Sequence, residues 1–271
     1  MPQSRAGPYD DVVNDLWTSV AARANVTLSP EQHAKLSRYL DLLFEANARM
    51  NLTRITDRAQ AELQHVADAL TLLPFLPPIA PAQETPAPER QRRPGSPAAP
   101  LIEFALRIAD VGSGGGVPGI PLAIARPDAF VLLIESTKKK SAFLKQAAAA
   151  LELPNVSVSD WRAEDVAHSN SRETFDVAIA RAVATMDWLA EWCLPLVKKG
   201  GKMLAMKGPK VAEELPAAAR AIKTVNGGDA IVHPVDLPGT EHRVIVEIPK
   251  AGKTDARYPR RATQAKGKPI R

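Results

Sequence analysis

The residues with the clearest chemical capacity run from Asp110 to Gly119: Asp110-Val111-Gly112-Ser113-Gly114-Gly115-Gly116-Val117-Pro118-Gly119. An apolar run precedes them and another follows, so they read as a turn between a strand and a helix. Glycines there let the backbone turn tightly and approach a ligand with no Cβ in the way. The helix that follows offers unpaired N–H groups at its start. About 20 residues further on, the run Ala129-Phe130-Val131-Leu132-Leu133-Ile134 ends in Glu135. An acid at that place can accept hydrogen bonds from both hydroxyls of a ribose, so the pattern points to a nucleoside at one edge of a sheet. The plainer alternative is a structural turn beside an ordinary surface glutamate. Strand, helix and spaced acid together disfavour it.

Gly114, Gly116 and Gly119 satisfy the G-x-G-x-x-G of dinucleotide folds. Asp110 argues against that ligand, because a carboxylate at the end of the strand repels a pyrophosphate. The spacing Asp110-x-Gly112-x-Gly114-x-Gly116 suits a cofactor with no phosphate and a cationic centre, and S-adenosylmethionine is such a molecule. Arg181 follows the apolar run 175–180, where it either serves the sheet's active edge or pairs with a carboxylate at a domain junction. Lys207 closes another run before Gly208 and reads equally as an RNA contact or a solvated lysine. Lys138-Lys139-Lys140 open a helix, an odd place for cations given the helix dipole; RNA phosphates or plain solvent account for them equally well. His65 and Asp68 either place a target nucleotide or brace the helices they sit on. Cys193 lies in Trp188-Leu189-Ala190-Glu191-Trp192-Cys193-Leu194, an amphipathic pattern in which it reads as a small buried hydrophobe rather than a nucleophile. His33, His168, His233 and His242 are scattered and suggest no metal site.

The elements that must position these residues fall into parts of different character. Residues 1–73 read as a helical cap, with a helix start at Ser29-Pro30-Glu31-Gln32. Leu36, Leu40, Leu43, Phe44 and Asn47 follow at helical spacing, and a second helix carries Leu63, Val66, Ala67 and Leu70 inward. Residues 74–100 hold nine of the 24 prolines and read as a linker or insertion. Residues 101–249 alternate strand and helix, with strands near 106–111, 130–134, 155–159, 175–180, 201–206, 230–235 and 243–248. Helices are expected over 118–126, 137–151, 186–198 and 210–223. The last two strands have no crossover helix between them and read as an antiparallel, hairpin-like pair.

The chain has 271 residues and a net charge of +5, but residues 250–271 alone carry +7, leaving −2 for the rest. With almost no large apolar residue, that basic tail is expected to be mobile. One cysteine excludes a disulfide framework and a multi-Cys zinc cluster, and fits a reducing compartment. No apolar run reaches the roughly 18 residues of a spanning helix, and the N-terminus has no apolar signal core. A cytoplasmic protein, monomeric by default and without a membrane partner, is the expectation.

From Asn51 to Ile248 the chain resembles the bacterial ribosomal RNA small subunit methyltransferase G family, also called glucose-inhibited division protein B. The segments that carry the resemblance are MNLTRITD, HVADAL, ADVGSGGGVPGIPLAIARP, LIESTKKKSAFLKQ, WRAEDV, FDVAIARAVATM, LAMKG and EHRVIVEIPK. The resemblance implies an α/β, Rossmann-like class I methyltransferase sheet, mostly parallel with an antiparallel last strand, beneath the helical cap. It also implies S-adenosylmethionine-dependent methylation of N7 of one guanine in the decoding region of 16S ribosomal RNA. Gly112 and Val117 would then line the cofactor, with Asp110 and Gly114 in the same loop. Ala163 and Glu164 would flank the adenine and Glu135 would hold the ribose. Arg181 would sit beside the methionine end and the transfer site as a positioning residue. Lys207, from its place at a strand end rather than from the resemblance, is a second catalytic candidate. The proline-rich stretch and the basic tail are additional to the family's compact pattern.

The residue inventory agrees with that chemistry. N7 of guanine has an exposed lone pair, so no base has to remove a proton, and alignment with exclusion of water does most of the work. The Asn/Asp-Pro-Pro-aromatic signature of amino-group methylation is missing at Ala180-Arg181-Ala182-Val183. Two other classes stay open: a class I methyltransferase acting on a protein or small molecule, and a non-enzymatic RNA-binding module.

Overall fold

A computed structural model describes residues 8–78 and 104–270. Most of the expected proline-rich insertion, 79–100, lies outside these residues.

Two helices, α1 (Pro8–Ala22) and α2 (Pro30–Met50), open the chain. The capping box of α2 forms as expected. Ser29 Oγ accepts from the Gln32 N–H at 3.2 Å, while Gln32 Oε1 accepts from the Ser29 N–H at 2.8 Å. Leu36, Tyr39, Leu40 and Leu43 make its buried stripe, and Asn51 ends it in the left-handed region at φ 51°. The second cap helix is not one regular element. Its first turn, α3 (Arg58–Ala61), runs into a π-helical stretch (Glu62–Ala67) and a last turn, α4 (Asp68–Leu70). His65, Val66, Ala67 and Asp68 are all out of solvent, because this segment is enclosed on every side between the rest of the cap and the sheet.

Seven strands follow: β1 (Leu106–Val111), β2 (Ala129–Ile134), β3 (Val156–Ser159), β4 (Phe175–Arg181), β5 (Val197–Lys207), β6 (Ile231–Pro234) and β7 (Val244–Pro249). They form one sheet in the order β3-β2-β1-β4-β5-β7-β6. The first five are parallel, and β7 runs antiparallel to both neighbours. This is the expected α/β, Rossmann-like sheet. The β6–β7 pair is a hairpin in pairing, with β7 inserted between β5 and β6.

Helices α5 (Gly119–Ala125), α6 (Lys138–Ala150), α7 (Ala163–Ala167), α8 (Met186–Cys193) and α9 (Val211–Thr224) connect the strands. The helix expected over 186–198 is shorter than the sequence suggested. Pro195 has no N–H to continue it, Leu194–Leu196 tighten into a 3₁₀ turn, and β5 begins at Val197.

Alternation along the strands divides the core between two faces. Ile108, Val131, Leu133, Val177, Ile179 and Leu204 pack with Trp17, Leu36, Leu40 and Leu43 of the cap. Ala109, Val111, Ile134, Ala178, Ala180 and Ala205 pack with Met186, Leu189 and Ile222 of α8 and α9. The cap therefore shares one core with the sheet.

The mobile tail expected beyond residue 249 is not what the structure contains. Lys250 is buried, donating to the Leu194 carbonyl at 2.8 Å and to Thr254, with Glu173 at 3.4 Å. Arg172 donates to the carbonyls of Thr254 and Tyr258, each at 2.8 Å. Arg260 pairs with the fully buried Glu191 at 2.6 Å, and a short helix, α10 (Ala262–Ala265), follows. Body groups hold Lys250 and Arg260, and Arg172 holds tail carbonyls; these charge-assisted contacts supply ordering free energy that the tail's few apolar residues cannot.

Candidate functional site

The carboxyl ends of β1, β2 and β4 lie in register, with Val111 opposite Ile134 on one side and Ala180 on the other. Strand order reverses between β1 and β4, and a cleft opens there, as such switch points favour. It encloses about 500 Å³, within the usual range for a small-molecule site.

The glycine loop forms its floor. The N–H groups of Gly112 and Ser113 donate to the Ile134 carbonyl at 2.9 and 3.1 Å, tying the loop across to β2. Gly112 has φ +73°, and a Cβ on it would stand 2.6 Å from Val183 Cγ2 in the loop after β4. Gly114 has φ +56°, and a Cβ on it would meet only the Gly112 carbonyl oxygen, at 3.9 Å. Glu135 is held from two directions: Gly114 N–H donates to Oε2 at 3.0 Å and Thr137 N–H to Oε1 at 2.8 Å. Val117, Ala163 and Glu164 line the same cleft with Gly112, Gly114 and Glu135. The six residues grouped from the sequence thus line one cleft.

The cap supplies the facing wall through Leu43, Leu52, Thr53 and His65. Tyr39, on α2, donates its O–H to the Gly115 carbonyl at 2.7 Å and pins the loop to the cap. At the junction Arg181 lines the cleft and is nearly buried, with Asp68 Oδ2 at 3.5 Å from one guanidinium nitrogen and no partner on Nη1. Arg243, before β7, approaches the same Asp68 oxygen at 3.2 Å. Burial raises the Asp68 carboxyl against the pull of both arginines, and burial lowers the Arg181 guanidinium against the pull of Asp68. His65 Nε2 lies 2.8 Å from Thr53 Oγ1, and burial with Arg181 nearby lowers the imidazole to about 4. Near neutrality it is an uncharged hydrogen-bonding group.

Residues 97–239 match the family described as GidB, rRNA small subunit methyltransferase G. The chain is 43% identical over 248 residues to the "Ribosomal RNA small subunit methyltransferase G" of Moorella thermoacetica, covering 91% of this chain and 93% of that one. It is 35% identical over 258 residues to the protein of the same name from Lactobacillus delbrueckii subsp. bulgaricus, covering 94% and 99%. The chain belongs to this family. Alignments of that length reach well into the cap, so the GidB likeness includes both walls of the cleft.

Two candidates read from the sequence are not placed as their positions along the chain suggested. Asp110 is 1% exposed and lies beneath the loop rather than on the cleft wall. Its Oδ2 accepts from the Gly119 N–H at 3.1 Å, Oδ1 has no partner, and burial pushes the carboxyl up to about 7. It braces the start of α5 and does not face a cofactor's charge. Lys207 is not a free cation. Its Nζ pairs with Glu214 at 2.6 Å and donates to the Ala184 carbonyl at 3.0 Å, tying β5 to α9 and the loop after β4. The paired acid sits seven residues further on, across a turn, which is why the sequence did not disclose it.

Cys193 is fully buried, and burial pushes its thiol up, so it is no nucleophile. Lys140 reaches the cleft while Lys138 and Lys139 are exposed beside it. The sequence reading missed Trp161 and Arg162 at the rim, Arg243 at the junction, and Trp192, whose indole N–H is buried without a partner. Trp161 and Arg162 flanked two residues already singled out, and that position was the available signal.

Proposed function

We propose that this chain transfers the methyl group of S-adenosylmethionine to N7 of one guanine in the decoding region of small-subunit ribosomal RNA. One observation carries the reading: the glycine loop with Glu135 and the cap's Thr53 and His65 wall a single cleft, with Arg181 between them. In this reading one side holds the nucleoside and the other receives the base.

The donor's chemistry fits this lining. Glu135 presents a fixed carboxylate for the ribose hydroxyls, Ala163 and Glu164 would flank the adenine, and the bare Gly114 leaves room beside them. Arg181, with its unpartnered nitrogen, suits the carboxylate of the amino-acid end. Bound there, S-adenosylmethionine supplies a methyl on a cationic sulfur, which a neutral nitrogen lone pair accepts without prior loss of a proton. The cleft accordingly needs no base. His65 at about 4 is too weak one near neutrality, and Asp110, though near 7, is sealed beneath the loop. The protein's contribution is alignment and exclusion of water.

The proposal includes a monomeric enzyme acting in the cytoplasm on RNA or the small subunit. No helix among the described residues is long and apolar enough to cross a membrane. Calorimetry with S-adenosylmethionine, and label transfer to small subunits against free nucleosides, test the reading. Saturable donor binding with transfer to subunits alone supports it. Transfer to a protein or small molecule instead would replace it with a different methyltransferase activity.

A further inference from the structure

The chain has four tryptophans, and three are inside or packed together. Trp17 is 1% exposed in the cap core, and Trp188 and Trp192 stack on each other with ring centroids 5.2 Å apart. Trp161 is 56% exposed. A large aromatic surface left in water is costly unless something covers it. Its position is specific: Ser136, Trp161 and Arg162 line the cleft and also a shallow depression directly outside it. The far side of that depression is formed by Asp165, His168, Ser169 and Arg261. Arg261 is held there by the packed tail, since its neighbour Arg260 is locked to Glu191 and His168 Nε2 meets the Pro259 carbonyl at 2.8 Å. Neither Arg162 nor Arg261 forms an ion pair among the described residues.

We infer that the depression is a second nucleotide subsite, in which the unpaired RNA base next to the target stacks on Trp161. This rests on the proposed function and extends it. A base that enters a cleft of this size must leave its helical stack, and its neighbour loses a stacking partner. Single-stranded bases regain that loss on aromatic rings and guanidinium planes. Trp161 at the rim, flanked by two unpaired arginines, provides such a platform one step outside the cleft. Asp160 and Asp165 balance the two arginines, so the depression is nearly neutral and favours a base over a bare phosphate. The tail thereby acquires a role: it completes the outer wall of this subsite.

The test uses the full chain, small subunits lacking the modification, and labelled S-adenosylmethionine. Trp161→Ala is expected to raise the KM for subunits by about fivefold to a hundredfold, the range for loss of one stacked base. Donor affinity by calorimetry falls far less than the subunit KM rises, and Trp161→Phe, which keeps a ring face, recovers most of the KM. An unchanged KM in Trp161→Ala, with an active wild type, overturns this inference alone. Weakened donor binding with an unchanged subunit KM also overturns it, and assigns the indole to the donor site. A wild type that transfers no methyl to subunits overturns both this inference and the function it rests on.

Discussion

Asp68 and Arg181 stand 3.5 Å apart, carboxylate to guanidinium, and join the last turn of the cap to the end of β4. Asp68 is fully buried and Arg181 nearly so, and Arg243 approaches the same carboxylate oxygen from the start of β7. One acid thus holds together the three segments that meet at the inner end of the cleft. Removing one member of a buried charge group leaves the others uncompensated, at a cost of about 3–5 kcal/mol. Asp68→Ala should destabilise the fold by about 3 kcal/mol and lower methyl transfer further than donor binding, because Arg181 loses its anchor. Urea unfolding and transfer assays check this. A variant of wild-type stability would show that the two arginines need no counter-charge.

Gly112 combines a left-handed backbone with a close approach to Val183. Gly112→Ala should weaken S-adenosylmethionine binding about tenfold or more, since strain at such a position costs about 1–3 kcal/mol. Adding Val183→Ala relieves the contact but not the dihedral, so the double variant should recover part of the affinity. Calorimetry reads both. Full recovery would show that contact alone sets the requirement for glycine.

Two buried groups titrate with opposite effects on stability. Asp110 goes from 3.8 unfolded to about 7 folded, so its contribution is complete below 3.8 and lost as pH rises through about 7. His65 goes from 6.5 to about 4, so its contribution is complete above 6.5 and lost as pH falls through about 4. Between pH 4 and 6.5 the two slopes oppose each other. Relative to wild type, Asp110→Asn should make stability rise more steeply with pH across that window, and His65→Gln should make it fall. Urea midpoints measured across the window decide it. Two variants tilting in the same direction would contradict the assignment.

These groups also mark how far the sequence could be read. Strand positions were legible to within a few residues because apolar runs bounded by glycine, proline or charge have few other solutions. The glycine loop and Glu135 were legible because a tight strand-to-helix turn and an acid closing the next strand fix spacing along the chain. What was hidden depends on partners far apart in sequence. Asp110 looked like a ligand until Gly119 and the loop closed over it, and Lys207 looked free until α9 brought Glu214 to it. The π stretch before Asp68 leaves no mark in hydropathy, and Arg260 of the tail found its acid, Glu191, some 70 residues upstream.

The tail carries a prediction of its own. Glu191 is fully buried, and Arg260 is its only ion-pair partner among the described residues. Arg260→Ala should cost about 3 kcal/mol of stability, visible as an earlier urea midpoint. Unchanged stability, with a shallower salt dependence of subunit binding, would instead return the tail to a purely electrostatic role.

The central claim is methyl transfer to N7 of one guanine in the small-subunit RNA. Its most direct measurement is a map of N7-methylguanine in 16S RNA from cells with and without this protein. The account predicts one N7-methylguanine in the decoding region that disappears with the protein and returns when the wild-type chain, but not Arg181→Ala, is supplied. An identical modification map in the two strains would contradict it.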